Sequence, residues 1–215
     1  MRSITMEGNN NKDMEEKILK AAEAVFLEKG YALASTTEIA RRTGCNQTLV
    51  HYYFRTKEKL FESVFGRLVE LFILSFHGVI SQDLPFRKKL TNLIDTHFEF
   101  LYENQQIPFL ILNELTTNPN RILKLKERFS PVVKEIFSHL SQDIEQAVKR
   151  GEIRTIAPFE LLFSIASLNI SVFLLRPVFN RIMNVENEQF QNLARKRKIE
   201  NIEMILHSLT PLQEK

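Results

Sequence analysis

Cysteine is all but missing from this chain of 215 residues, where Cys45 stands alone. One thiol excludes an intrachain disulfide and a cysteine-built zinc site. Its expected role is that of a small buried hydrophobe. Tryptophan is absent, and glycine and proline are scarce at six and seven residues. So few breakers favour helices joined by short connections. An excess of one charge is also lacking: 29 Lys and Arg face 26 Asp and Glu, for a net charge of +3. The chain is no polycation, so any affinity for nucleic acid has to be local. The first residues, MRSITMEGNNNKD, hold no apolar run of signal-peptide type. Residues 1–12 therefore read as a disordered lead-in, and the expected location is cytoplasmic.

The patterns that would carry catalysis are missing as well. The five His, at positions 51, 77, 97, 139 and 207, show no His-Glu-x-x-His spacing. There is no glycine-rich phosphate loop, no nucleophile elbow and no Cys-x-x-Cys. Glu99 and Glu103 lie four apart on one helix and read as a solvated face, as does the run Arg195-Lys196-Arg197-Lys198. The sequence gives no reason to expect an enzyme, a catalytic residue, a metal or a cofactor.

What is present is helical periodicity. Apolar residues make up 44% of the chain and charged residues 26%, ordinary values for a globular protein. From Asp13 to Lys29, the residues Met14, Ile18, Ala21, Ala22, Val25 and Phe26 recur near 3.6, which predicts a helix closed by Gly30. Thr36 or Thr37 is placed to cap a second helix, Gly44 to turn the chain, and Asn46 to cap a third helix over Gln47–Tyr53. Leu49, Val50 and Phe54 of that stretch face inward. Gln47, Thr48, His51 and Tyr52 or Tyr53 remain outside, and such groups reach base edges and phosphates. Tyr52 has packing on the first helix as its alternative. Between Thr36 and Lys59, five basic residues stand against two acidic ones. This modest local charge doubles in a dimer.

Further helices are predicted over Lys57–Ile80, Pro85–Glu103, Ile107–Thr116, Asn120–Arg150 with a possible break at Ser130-Pro131, Pro158–Leu175 closed by Arg176-Pro177, and Asn187–Leu209. The Phe159–Leu175 stretch is apolar on nearly all sides, yet it is short for a membrane span and carries Glu160, Ser164, Ser167, Asn169 and Ser171. A helix apolar all round needs cover all round. One face suits its own domain and the other the same helix of a second subunit, with the last helix completing a four-helix seam.

The stretch from Ile18 to Leu60, ILKAAEAVFLEKGYALASTTEIARRTGCNQTLVHYYFRTKEKL, resembles the DNA-binding domain of the TetR family of bacterial repressors. The resemblance rests on Ala-Ala…Phe…Lys-Gly-Tyr, Thr-Thr-x-Ile-Ala, the turn glycine and Tyr-Phe-x-x-Lys-Glu-x-Leu. Cys45, Thr48 and His51 depart from the family, which often has Val, a small residue and Tyr there. It implies an all-α fold: a helix-turn-helix domain over residues 13–56, then a helical effector-binding and dimerisation domain over 57–215. It implies a double-stranded DNA operator, palindromic and bound by a homodimer through helices near 158–175 and 187–209, and release by a small lipophilic effector. Gln47, Thr48, His51 and Tyr53 are the expected readers, with Tyr52 beside them and Thr36, Thr37 and Lys57 as positioners. His97, Asn113, Asn169 and Arg176 are the polar groups expected to meet the effector. The rival readings are a ligand-independent DNA-binding or architectural protein and an enzyme with a lipid-like pocket.

Overall fold

The computed structural model describes residues 4–211, and their side chains apart from those of residues 4–10, 115, 119, 121, 122 and 125. The described residues form helices without a strand: α1 (Ile4–Leu33), α2 (Thr36–Thr43), α3 (Gln47–Phe54), α4 (Lys57–Ile80), α5 (Phe86–Glu103), α6 (Ile107–Thr117), α7 (Pro119–Lys149), α8 (Pro158–Leu174), α9 (Arg176–Ile182) and α10 (Asn187–Ser208). They belong to two compact units that divide between Val69 and Glu70, inside α4.

The first unit is centred on aromatic packing between α1 and the start of α4. Phe26 meets Phe61 edge-on at 4.9 Å, Tyr31 meets Phe61 at 5.0 Å, and Phe61 stacks on Phe65 at 5.5 Å. Offset and edge-on pairs of this kind add to the area they bury. Ile18, Ala22, Val25, Ile39, Ala40, Val50, Leu60 and Val64 complete the core. This packing explains why the boundary lies at Val69, not before Lys57 as the sequence suggested. The first turns of α4 are covered by α1 and belong with it.

In the second unit, α5, α8 and α10 pack on one another. One buried cluster joins Leu90, Leu93 and Ile94 of α5 to Ile136, Leu140 and Ile144 of α7, Leu161 and Ile165 of α8, and Ile205 of α10. A second joins Phe98 and Leu101 to Val172, Phe173, Phe190 and Ala194. By length and composition alone, Lys57–Ile80 and Pro158–Ile182 are apolar enough to cross a membrane. In the fold both supply buried core: Leu60, Phe61, Val64, Phe65, Leu68, Val79 and Ile80 from α4, and Leu161, Ile165, Val172 and Phe173 from α8.

Several expectations are corrected. Residues 4–12, expected to be irregular, are helical; once downstream turns exist, a helix propagates backward without a new nucleus. α7 runs unbroken through Pro131, where the ring removes one ladder bond from a long helix held at both ends. α8 ends at Leu174, next to Arg176-Pro177 as expected, but a short further helix starts there at once. Pro177 lies in the first turn of α9, where a missing N–H leaves no gap in the ladder.

Phe61 meets three rings of the first core, Phe26, Tyr31 and Phe65. Phe61→Ala should cost about 3–5 kcal/mol, read as a lowered urea midpoint. Unchanged stability would mean this cluster is not the centre of the unit.

Candidate nucleic-acid interface and interior cavity

The turn between α2 and α3 follows from three residues. Ser35 caps α2, its Oγ accepting from the Glu38 N–H at 3.2 Å. Thr36 and Thr37, expected as caps, are the first two residues inside the helix. The missed signal was Ser35-x-x-Glu38, the spacing of a capping box. Gly44 ends α2 with φ at 75°, a left-handed conformation that costs a glycine little. Asn46 caps α3 as expected, its Oδ1 accepting from the Leu49 N–H at 2.8 Å. Val50 and Phe54 of α3 are buried and Leu49 is half-buried.

The outward groups are tied together. Gln47 Nε2 donates to Thr36 Oγ1 at 2.9 Å, and Thr37 Oγ1 donates to Gln47 Oε1 at 3.2 Å. His51 Nδ1 lies 3.1 Å from the Arg55 carbonyl, so Nδ1 carries the proton. His51 Nε2 is then free to accept from Gln47 Nε2 at 3.3 Å. Gln47, Thr37 and His51, all exposed, and the half-buried Thr36 thus form one bonded set. Thr48 is exposed beside it, and Tyr52 is 62% exposed. Tyr53, not Tyr52, is the one turned to α1. Its hydroxyl donates to Asn11 Oδ1, and burial pushes its pKa up.

The basic residues are not all available. Arg42 donates to both oxygens of Glu28 at 2.7 and 2.6 Å and to Glu38 at 2.8 Å, and Lys29 donates to Glu38 at 2.6 Å. The Arg42 hydrogen bonds hold the Glu28 carboxyl below its usual range, and those from Lys29 and then Arg42 do the same for Glu38. Lys57 Nζ donates to the Ala32 carbonyl at 3.2 Å and lies 4.5 Å over the Tyr31 ring. Arg41, Arg55 and Lys59 are exposed. Cys45 is half-buried, and burial raises its thiol pKa, which disfavours the reactive thiolate.

In the second unit a cavity of about 210 Å³ is lined by Phe72, Ile73, Phe76, Val133, Ile136, Phe137, Leu162, Ile165, Ala166 and His97. His97 is the one titratable group in that lining. Its ring lies 5.4 Å from Phe72 and 5.2 Å from Phe76, and burial pushes its pKa down to about 4. Asn169 is buried behind it, 3.1 Å from His97 Nδ1. A second cavity of about 140 Å³ shares Phe72 and is otherwise lined by residues such as Leu101, Ile107, Ile111 and Ile170.

The other two polar candidates lie elsewhere. Arg176 donates to Gln105 Oε1 and, at 2.8 Å, to Asn187 Oδ1, and covers the Phe190 ring at 4.5 Å. It straps helix ends together. Asn113 is half-buried on α6 and lines neither cavity. The basic run on α10 is not wholly solvated: Lys198 pairs with Asp95 at 2.8 Å and Glu99 at 2.7 Å. Among the described residues no cluster of His, Cys, Asp or Glu could hold a metal ion.

An exposed second helix, capped and preset by its neighbour, defines the class: a helix-turn-helix DNA-binding regulator. The comparisons agree. Residues 18–64 match the model of bacterial regulatory proteins of the tetR family, and residues 87–205 match the tetracyclin repressor-like C-terminal domain. The chain therefore belongs to the TetR family of transcriptional regulators, whose members are not enzymes. It is 25% identical over 138 residues to the fatty acid metabolism regulator protein of Bacillus subtilis, covering 64% of this chain and 70% of that one. It is 24% identical over 128 residues to the transcriptional activator FasR of Mycolicibacterium smegmatis, covering 59% and 58%. Among solved structures, FadR from Bacillus subtilis in complex with stearoyl-CoA superposes with a TM-score of 0.62 at 20% identity, over 90% of this chain and 98% of that one.

His97 gives a pH prediction. The unfolded chain protonates it near its ordinary 6.5, whereas the folded chain resists until about 4. Between these values the unfolded state binds more protons, so stability rises with pH and is lost on acidification. The expected loss is about 1.4 kcal/mol per pH unit, measured as the difference between wild type and His97→Phe in urea titrations. Parallel curves would contradict it.

Proposed function

We propose that the protein is a homodimeric repressor that holds a palindromic operator and lets go when a lipophilic effector of fatty-acyl type fills the cavity of the second unit. The observation that carries this reading is the cavity itself, a half-open space lined by apolar side chains around a single imidazole. Small-molecule sites have this character, an apolar wall with few polar anchors. The fatty-acyl class is supported by the resemblance to a fatty acid metabolism regulator protein and to a regulator solved with stearoyl-CoA.

Size narrows the reading. A cavity of about 150 Å³ holds one benzene ring, so about 210 Å³ takes a short acyl segment. A longer chain needs the neighbouring cavity, and Phe72 is the partition it displaces. Phe72 and Phe76 lie on α4, whose first turns belong to the DNA-binding unit. A shift of α4 is thus the proposed route from effector to operator. It lowers DNA affinity only by the effector's preference for the shifted state.

On the DNA side, Gln47 reads a base edge, with Thr48, His51 and Tyr52 beside it. Thr36, Thr37 and Tyr53 position the helix, and Lys57 exchanges the Ala32 carbonyl for a phosphate. Two copies of α3 about one helical turn of DNA apart meet a palindrome. The dimer reading is supported by exposed apolar groups on the two helices assigned to it. These are Phe159 and Phe163 of α8, at 66% and 62% exposure, and Leu193, Ile199 and Met204 of α10. A regulator acting on chromosomal DNA works in the cytoplasm.

Two measurements test this. Gln47→Ala should cost about 1–3 kcal/mol of operator binding and relax one base pair of the preferred site, read by selection from random duplexes; equal loss on every sequence would make Gln47 a positioner. Long-chain acyl-CoA should raise the melting midpoint of wild type, and Ala166→Phe, which fills the cavity, should abolish the shift. A shift that survives Ala166→Phe would place the effector elsewhere, and no shift with any acyl compound would favour a ligand-independent regulator.

A further inference from the structure

The cavity's one polar group is the end of a chain of hydrogen bonds whose direction is fixed. Arg197 has only donors, so Asn201 meets its Nη2 with Oδ1, at 3.0 Å. That turns Asn201 Nδ2 toward Asn169, where Oδ1 accepts at 2.9 Å. Asn169 Nδ2 must then donate. It does so to the Ile94 carbonyl at 3.1 Å, a group that can only accept, and to His97 Nδ1 at 3.1 Å. Each amide orientation is thereby set from both ends, by a guanidinium and by a carbonyl. His97 Nδ1 is an acceptor, so the neutral ring carries its proton on Nε2. Asn169, Asn201 and His97 are all at least 99% buried. His97 Nε2 has no hydrogen-bond partner among the described residues, and His97 lines the cavity. A buried donor without an acceptor is costly. The cavity is the space next to this ring, and an acceptor that enters it reaches Nε2 once the Phe72 or Phe76 ring, 5.4 and 5.2 Å away, gives way.

We infer that His97 Nε2–H selects effectors that bring an uncharged acceptor oxygen, such as a carbonyl, ester or thioester, into the cavity beside an apolar chain. The inference rests on the effector-cavity reading above and adds the chemistry of the head group. A carboxylate is disfavoured because no Lys or Arg lines the cavity and burying an unpaired charge is expensive. An ammonium is disfavoured because Nε2–H offers it no lone pair. Arg197, Asn201 and Asn169 are positioning residues. They touch no ligand and act by keeping the proton on Nε2.

The test uses the full chain and three probes of similar size: heptan-2-one, heptane and heptan-2-amine. Wild type should bind the ketone and heptane and reject the amine. His97→Phe, an aromatic replacement among Phe72 and Phe76, should weaken the ketone about tenfold and leave heptane unchanged. Imidazole nitrogen resonances of the labelled wild type, which need no ligand and no variant, should show Nε2 protonated and Nδ1 bare. A proton on Nδ1, or an undiminished ketone affinity in His97→Phe, overturns the inference while leaving the cavity as an effector site. Failure of wild type to bind any of the probes overturns both readings.

Discussion

A polar group taken out of water has to be paired, and this rule organises the second unit of the chain. Its interior is apolar except for a few side chains, and three of these sit in one line across three helices. His97 and the Ile94 carbonyl come from α5, Asn169 from α8 and Asn201 from α10. Hydrophobic packing is tolerant of small slides; a line of directional bonds is not. Sliding any one helix by a turn would strand several buried groups at once. The line therefore fixes the register of the three helices on which both buried clusters are built. It ends in His97, whose Nε2 has no partner among the described residues and whose ring is part of the cavity wall.

The DNA-binding unit obeys the same rule at the surface, where breaking a bond is cheap because water replaces it. Gln47 is held by Thr36, Thr37 and His51 in an arrangement that keeps its amide oriented without burying it. In the proposed function a duplex exchanges these bonds for its own, and the helix is already capped and packed through Val50 and Phe54. The core beneath it is an aromatic stack, so the exposed set stands on a rigid base. Preset geometry of this kind reduces the ordering cost of binding.

Much of this was legible in the sequence. Periodicity and breakers set the helices: Gly44, Asn46 and Pro85 act through local geometry, and Gly30, with φ at 69°, breaks the helical backbone shortly before α1 ends at Leu33. The Lys57–Ile80 helix was read to its ends. The outward face of α3 was legible because inward positions on a short helix leave few residues outside. Tertiary partners were not legible. Ser35 was passed over for two neighbouring hydroxyls that local spacing equally allows. The boundary inside α4 depends on Phe61 meeting Phe26, a pairing between distant residues. Arg42 and Lys198 looked like surface charge, and only the fold brings Glu28, Asp95 and Glu99 to them. Asn169 and His97 were singled out as polar residues on apolar stripes. That they are bonded to each other, and that Asn113 and Arg176 line neither cavity, could not be read from one dimension.

In the proposed function, occupancy of the cavity and hold on DNA are two ends of one equilibrium. The direct measurement is reciprocal binding: operator affinity at saturating acyl ligand, and ligand affinity at saturating operator. Each should weaken the other by the same factor, as linkage requires of two coupled sites. An operator affinity indifferent to a filled cavity would contradict it.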